Sequence, residues 1–597
     1  MHHRFLAGVS VAAVIVLLSG IAIPPAGAEE TYALSMHGDE AFPDGPRDHF
    51  PWVDREARKG GDLSLAIVGT FDSMNPYIVQ GLPAAGLKAL VFQSLLYRSP
   101  DEPFTLYPQV ARAIEIADDR TRIVFHLDPR ARFHDGTEVT AEDVLFTFDA
   151  LLNDGRPHTQ TYFSGVTGVQ ELGPLSVSFD LRGDNWELPL LLGLMPVLSK
   201  EYFETVTFTG TSLEIPVGTG PYRVESIDPG HRVIYRRDPD YWGRDLPQSV
   251  GRYSFDTMTY TWYRDSNVAH QAFLAGDSNI RFEGDSRRWV TGYDVPARDD
   301  GRIIMASVAS GRPSGLYAVV WNHRRSPFDD IRVRDALGLA FDFDWINENL
   351  LHGQYTRTTS LFDNSALRAT GAATGRERTL LEPWGNELEP IVFEAPWSPA
   401  EGTLRQRLKE ATRLLQEAGY VLRDGVLVSE ATGEPLTFEL LLNDPREERI
   451  FLAWFANLER LGIRPLMRTV DAAQHRNRIR QFDFDALPWR WGVSLSPGNE
   501  QWIYWGSNAA DDEGSRNYAG VRSPVLDSII TSLSDARSRE DLEAAARALD
   551  RVLMWGRHVL PLYHRTEDLV AYWSSLRRPQ RPVLYGTDIW AWWHEPP

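Results

Sequence analysis

The chain has 597 residues, 43% hydrophobic and 24% charged, which excludes an extended disordered protein and provides enough length for more than one domain. Its 82 acidic against 61 basic residues leave a formal net charge of -21, an argument against nucleic acid and anionic membrane surfaces as partners. Cysteine is absent, which removes disulfides, a thiol nucleophile and the lipid-bearing cysteine of a lipoprotein in one stroke.

The first 28 residues read as a secretory signal. Arg4 supplies a short basic head, an apolar run covers residues 5–23, Pro24 and Pro25 break it, and Ala26, Gly27 and Ala28 form a small-residue cleavage site. Removal after Ala28 leaves a mature chain with no membrane anchor, because no later stretch is long and apolar enough to span a bilayer.

Strand and helix signatures then alternate to the C-terminus. Over residues 121–154, Ile123, Phe125 and Leu127 alternate with polar neighbours as a half-buried strand does, and HDGT makes a turn. Thr140 stands at an N-cap position with Asp143 three residues on, and Val144, Phe148 and Leu151 share one helical face. A second unit covers residues 316–353, where an apolar strand ends at Asn322 and Asp329 or Asp330 caps a helix that buries Val333, Leu337, Ala340 and Phe341. The helix LRQRLKEATRLLQEAGY closes on Gly419, and a hairpin-like segment follows it. IRPLMRTV, AAQHRNRIRQ and FDFDALPW then read as strand, helix and strand, the last of which leads into PWRWGVSLSPGNEQWIYWGSN, residues 488–508.

This alternation predicts an α/β protein, and in open α/β sheets ligands gather in the loops beyond the carboxyl ends of strands. The tryptophan-rich stretch is such a loop. No GxSxG elbow, HExxH helix or P-loop occurs. Asp483 and Asp485 share a strand face, where solvation explains them better than catalysis, and the spacing of His126, His134 and Asp135 matches no common metal-ligand pattern. Neither a catalytic residue nor a cofactor or metal is expected.

Three of these segments resemble, in order, the family 5 extracellular solute-binding proteins of ABC importers. They are FHLDPRARFHDGTEVTAEDVLFTFDALL, the strand pair of residues 217–242 ending in YW, and PFDDIRVRDALGLAFD. Residues 49–81 and 496–530 resemble the Yej-type branch, whose members deliver peptides and peptide-like cargo such as microcin C; a related branch delivers cell-wall muropeptides. The resemblance implies a two-lobed periplasmic-binding-protein fold with an extra inserted domain and a hinge between the lobes. Lobe one is expected from residues 29–75, 206–300 and 561–597, the inserted domain from 76–205, and lobe two from 301–560. It further implies a monomeric periplasmic subunit that hands its cargo to an inner-membrane permease. Two alternatives are an oligosaccharide-binding subunit and, further off, a secreted hydrolase.

Oligopeptide binders of this family carry an aspartate in a loop resembling ADYxxP, where it pairs with the peptide's α-amine. Here the matching positions read WGVSLSP, with Val493 or Ser494 in place of the aspartate and Arg490 just upstream. That substitution predicts cargo with a blocked amine, or cargo held by its acidic groups. Trp489 and Trp491, two apart on an extended chain, share a face and are expected to cover ligand, with Trp505 as a further aromatic wall and Arg490 pointing the other way. Asn75 and Asn499 are candidates for peptide amides. Arg516, Tyr518 and, in the inserted domain, Tyr162 complete the expected contacts.

Overall fold

Three β-sheets carry the architecture in a computed structural model that describes residues 29–595. The signal segment expected over residues 1–28 lies outside the described residues. Lobe I holds a seven-stranded sheet in the order Ile303–Ala309, Glu567–Trp573, Ile280–Phe282, Asp62–Val68, Thr257–Tyr263, Arg232–Arg237 and Tyr222–Asp228. Asp62–Val68 and Thr257–Tyr263 run parallel at its centre, and the alternation of Met258, Tyr260 and Trp262 faces them into the core.

Lobe II holds a five-stranded sheet in the order Arg464–Thr469, Thr437–Leu442, Ala486–Trp491, Leu316–Trp321 and Val559–Pro561. All six residues of Leu316–Trp321 are buried, as expected for a strand covered on both faces. Leu316, Ala318 and Val320 enter one core with the helices Pro524–Ser534 and Arg539–Trp555, whereas Tyr317, Val319 and Trp321 enter another with Ile331–Leu339 and Glu448–Glu459.

The third sheet is antiparallel, in the order Ala111–Ile116, Arg122–Leu127, Ser176–Leu181 and Val166–Gly173, and packs on helix Ala141–Asp154. That helix starts as its sequence predicts, with the Asp143 carboxylate accepting the Thr140 N–H at 2.9 Å. His134 is buried with its Nε2 on the Gly220 carbonyl at 2.9 Å, and His126 bridges Ser176 and Glu115, so both histidines serve the packing of this domain. No cluster of three metal-ligating side chains occurs among the described residues.

The expected boundaries of lobe II need correction at both ends. Strand Ile303–Ala309, assigned to lobe II from residue 301, pairs along its whole length with Glu567–Trp573 in the lobe I sheet. Val559–Pro561, which straddles the expected end at 560, and Tyr563–His564, which lies beyond it, pair with lobe II strands. An apolar strand does not declare which sheet it joins, and here the chain crosses between lobes at residues 310–315 and 565–566. Arg312 pins the first crossover to the second strand through its ion pair with Asp568 at 2.6 Å. Asp483 and Asp485 are both bridged by Arg325, at 2.8 and 2.9 Å, which accounts for their shared face.

Candidate functional site

Strand Ala486–Trp491 lies antiparallel to Leu316–Trp321, with Trp491 opposite Leu316, Arg490 opposite Tyr317 and Trp489 opposite Ala318. Residue parity then sorts the side chains between the two cores. Trp491, 1% exposed, packs 4.6 Å from the fully buried ring of Trp505 and donates its Nε1–H to the Arg516 carbonyl at 3.2 Å. These two tryptophans, expected on the ligand, are core side chains of lobe II. Trp489 shares their face but lies nearer its margin, half-buried, with its ring 4.7 Å from buried Tyr518 and its Nε1–H without a partner.

Arg490 projects to the opposite face, exposed, with its guanidinium 4.5 Å above the ring of Tyr317. The Tyr317 hydroxyl donates to the Glu447 carboxylate, whose pKa burial raises. Asn75 is buried, donating its Nδ2–H to the Phe208 carbonyl at 2.8 Å and accepting the Tyr77 N–H at 3.0 Å, so its amide is spent on a turn. Asn499 is exposed at the start of the short helix Glu500–Trp505, and exposed Arg516 reaches the Tyr504 hydroxyl at 3.4 Å. Tyr162, 45% exposed on helix Pro157–Phe163, lies in the field of Glu187, Glu500, Tyr504 and Arg516, and is therefore brought to lobe II from the inserted domain.

Three charged residues absent from the expected set complete the cleft. Arg565 stands on the second crossover, its guanidinium 4.5 Å above the Tyr355 ring, and its Nε and Nη2 are buried without a hydrogen-bond partner. Glu187 of the inserted domain and Glu500 of lobe II meet beside Gly498. Burial and the charge of Glu500 push the Glu187 carboxyl up to about 7, and burial likewise raises Glu500. Each stands in its sequence as an ordinary acid beside a tryptophan or glutamine, and only the fold reveals that they approach each other.

The inserted domain and lobe II touch beside this pair. Arg537 of lobe II lies 4.4 Å above the Trp186 ring, whose environment also holds Arg120 at 4.1 Å. His37, from the N-terminal segment, is held down to about 4 by burial and by the cations Arg539, Arg120 and Arg537. Arg490 lies in the field of Tyr563 and His564, the two residues just before Arg565 in the chain, while Glu187 and Glu500 form an acidic pair where the inserted domain meets lobe II.

The family model described as "Bacterial extracellular solute-binding proteins, family 5 Middle" matches residues 105–513. The chain belongs to this family. Within it, the chain is 39% identical to a probable peptide-binding protein, YejA, of Agrobacterium fabrum, over 94% of this chain and 93% of that one. It is 38% identical to the same organism's peptidoglycan-binding protein YepA, over 96% and 97%. These likenesses place the family 5 protein in the Yej-type branch. The oligopeptide-binding protein AppA of Bacillus subtilis, solved with a nonapeptide, superposes with a TM-score of 0.64 at 20% identity, covering 91% of this chain and all of that one. The family 5 protein accordingly has the two-lobed α/β fold of a class that binds solutes rather than transforming them.

Proposed function

We propose that this family 5 protein is the periplasmic binding subunit of an ABC importer. It captures peptides or peptide-like compounds between its lobes and delivers them to a membrane permease, after removal of its leader at Ala28. The observation that carries this reading is the pair of uncommitted guanidinium groups, Arg490 and Arg565, around the second crossover. Arg490, stacked on Tyr317, makes no ion pair among the described residues and Arg565, stacked on Tyr355, has unpartnered nitrogens, so both guanidinium groups are available to receive carboxylate. Glu187 and Glu500 offer acidic groups where the inserted domain meets lobe II. A zwitterionic chain matches both kinds of group.

The family relationship supports the same reading, since YejA carries the description probable peptide-binding and YepA peptidoglycan-binding. Cell-wall peptides combine several carboxylates with an amine and suit both kinds of group. A sugar site also sets carboxylates beside aromatic platforms, but a neutral sugar brings no carboxylate for two guanidinium groups to pair with. A thermal-shift panel of free peptides, N-formylated peptides, murein-derived peptides and oligosaccharides tests the reading, because a specific ligand stabilises the state it binds in proportion to its concentration over Kd. Peptides are expected to raise the melting temperature; stabilisation by oligosaccharides alone would overturn the assignment.

A further inference from the structure

We propose that lobe II holds a second binding site, apart from the interlobe cleft, for a small organic anion, with an oxyanion head on the Arg357 guanidinium and an apolar body among the rings around it. The site is a cavity of about 780 Å³ whose walls all belong to lobe II, so it exists whether the lobes are open or shut and whatever cargo they hold. None of the cleft residues described above lines it.

The cavity opens between helices Ile331–Leu339 and Leu404–Glu417, the end of helix Arg539–Trp555 and the loop of residues 395–403. Phe341, Phe343, Trp397, Leu414, Trp555 and Leu560 form its apolar walls. Trp555 is fixed by its Nε1–H, which donates to the Ala395 carbonyl at 2.9 Å. Gly338 stands in the first of these helices, where a Cβ would meet, outside its own helix, only Leu560 Cδ1 at 3.6 Å, an ordinary contact. A glycine weakens a helix, and no crowding demands this one; its consequence is depth in the cavity. The volume falls within the roughly 300–1,000 Å³ of small-molecule sites, which likewise set a few placed polar groups among apolar walls.

Arg357 carries the charge. Its Nη1 donates to the Leu562 carbonyl at 3.0 Å, its guanidinium lies 4.9 Å from the centre of the Phe341 ring and 5.9 Å from that of Phe343, and it makes no ion pair among the described residues. The Nε and Nη2 hydrogens are left as a free fork, the geometry that sets two parallel N–H groups against one carboxylate or phosphate. Arg407 lies near enough to repel it, and the Arg407 Nε is buried without a partner although its Nη2 pairs with Asp342 at 2.8 Å. Burial and that second cation hold Arg357 down to about 9. Two guanidinium groups crowded in a poorly hydrated space call for an anion. The carboxylates at hand do not supply it: Asp335 is held by Arg557 at 2.6 Å and Glu410 by Arg413 at 2.5 Å, Asp344 acts on Arg357 only from beyond ion-pair distance, and Glu401 is exposed on the loop.

The test is calorimetric titration of the full mature protein with 2-naphthoate, 2-naphthyl phosphate and the uncharged 2-naphthamide. One anion per chain is expected, bound about tenfold tighter than the amide, the scale of one charge-assisted contact, and the tighter of the two anions names the head group. Arg357→Met keeps an unbranched chain on the phenyl rings but removes the fork, and should weaken the anion about tenfold while leaving the amide unchanged. Gly338→Phe puts a ring into the apolar space without touching a charge, and should weaken anion and amide alike with the melting temperature undiminished. An amide that binds as tightly as the anions, anion binding that survives both substitutions, or no binding of either anion would each overturn the site. The two substitutions lie on different elements, so loss of folding in one leaves the other to decide.

Discussion

Replacing Arg565 by methionine separates binding from stability in a way no ordinary core or surface substitution does. Its Nε and Nη2 are buried without acceptors in the ligand-free protein. Each unsatisfied polar group costs about 1–3 kcal/mol, and stacking on the Tyr355 ring at 4.5 Å returns only about 0.5–2 kcal/mol. Methionine keeps an apolar, flexible side chain against that ring and removes the unpaired charge. The ligand-free variant is therefore expected to be about 1–2 kcal/mol more stable, a rise of a few degrees in melting temperature for a lobe of this size. Its cargo, conversely, loses a charge-assisted contact of about 1.5–3 kcal/mol, or roughly a ten- to hundredfold loss of affinity. Calorimetric melting with and without peptide reads both signs in one preparation. A variant that melts lower without ligand and binds peptide as well as the parent would show that Arg565 is a structural residue of the hinge.

Other perturbations follow from the same packing. Trp491→Ala should destabilise lobe II by about 3–5 kcal/mol in urea unfolding, because the ring is a core neighbour of Trp505, whereas Trp489→Ala should cost less and weaken cargo binding. Arg537→Ala should lower the closed fraction of the ligand-free protein several-fold, as judged by interlobe fluorescence transfer, since a stacked cation on Trp186 is worth about 0.5–1 kcal/mol. His323 and His558 pack together in lobe II, ring centroids 5.2 Å apart, and burial lowers them to about 2 and about 3. Their folded pKa values lie below the unfolded value, so the unfolded chain gains protons that the folded one refuses, and stability should fall progressively as pH drops from about 6.5 towards 3. A His558→Gln variant with an undiminished acid slope would contradict that origin.

The local grammar of the chain was legible wherever one segment settles its own structure. Thr140 and Asp143 announce their helix, and Asp330 caps another by accepting the Arg332 N–H at 2.8 Å. The parity of Trp489, Arg490 and Trp491 was also readable, because alternate strand residues must face opposite ways. Which face is core was not readable, since that depends on helices more than thirty residues further along the chain; hence Trp491 and Trp505, expected on ligand, lie in the interior. Ile303–Ala309 joins the lobe I sheet against expectation for a related reason, as its partner strand Glu567–Trp573 lies near the C-terminal end of the chain. Glu187 and Glu500 carry no local signature at all. Their approach joins the inserted domain to lobe II across more than three hundred residues of chain, and burial at that junction raises both carboxyls.

The account's central claim is that the cleft captures peptide-like cargo, and its most direct test is native mass spectrometry of the protein taken from the periplasm without refolding. The expected result is a bound mass that fragments as a peptide or murein peptide, and that is lost when Arg490 and Arg565 are both replaced. An oligosaccharide in the cleft, or a peptide whose retention ignores both arginines, would contradict it.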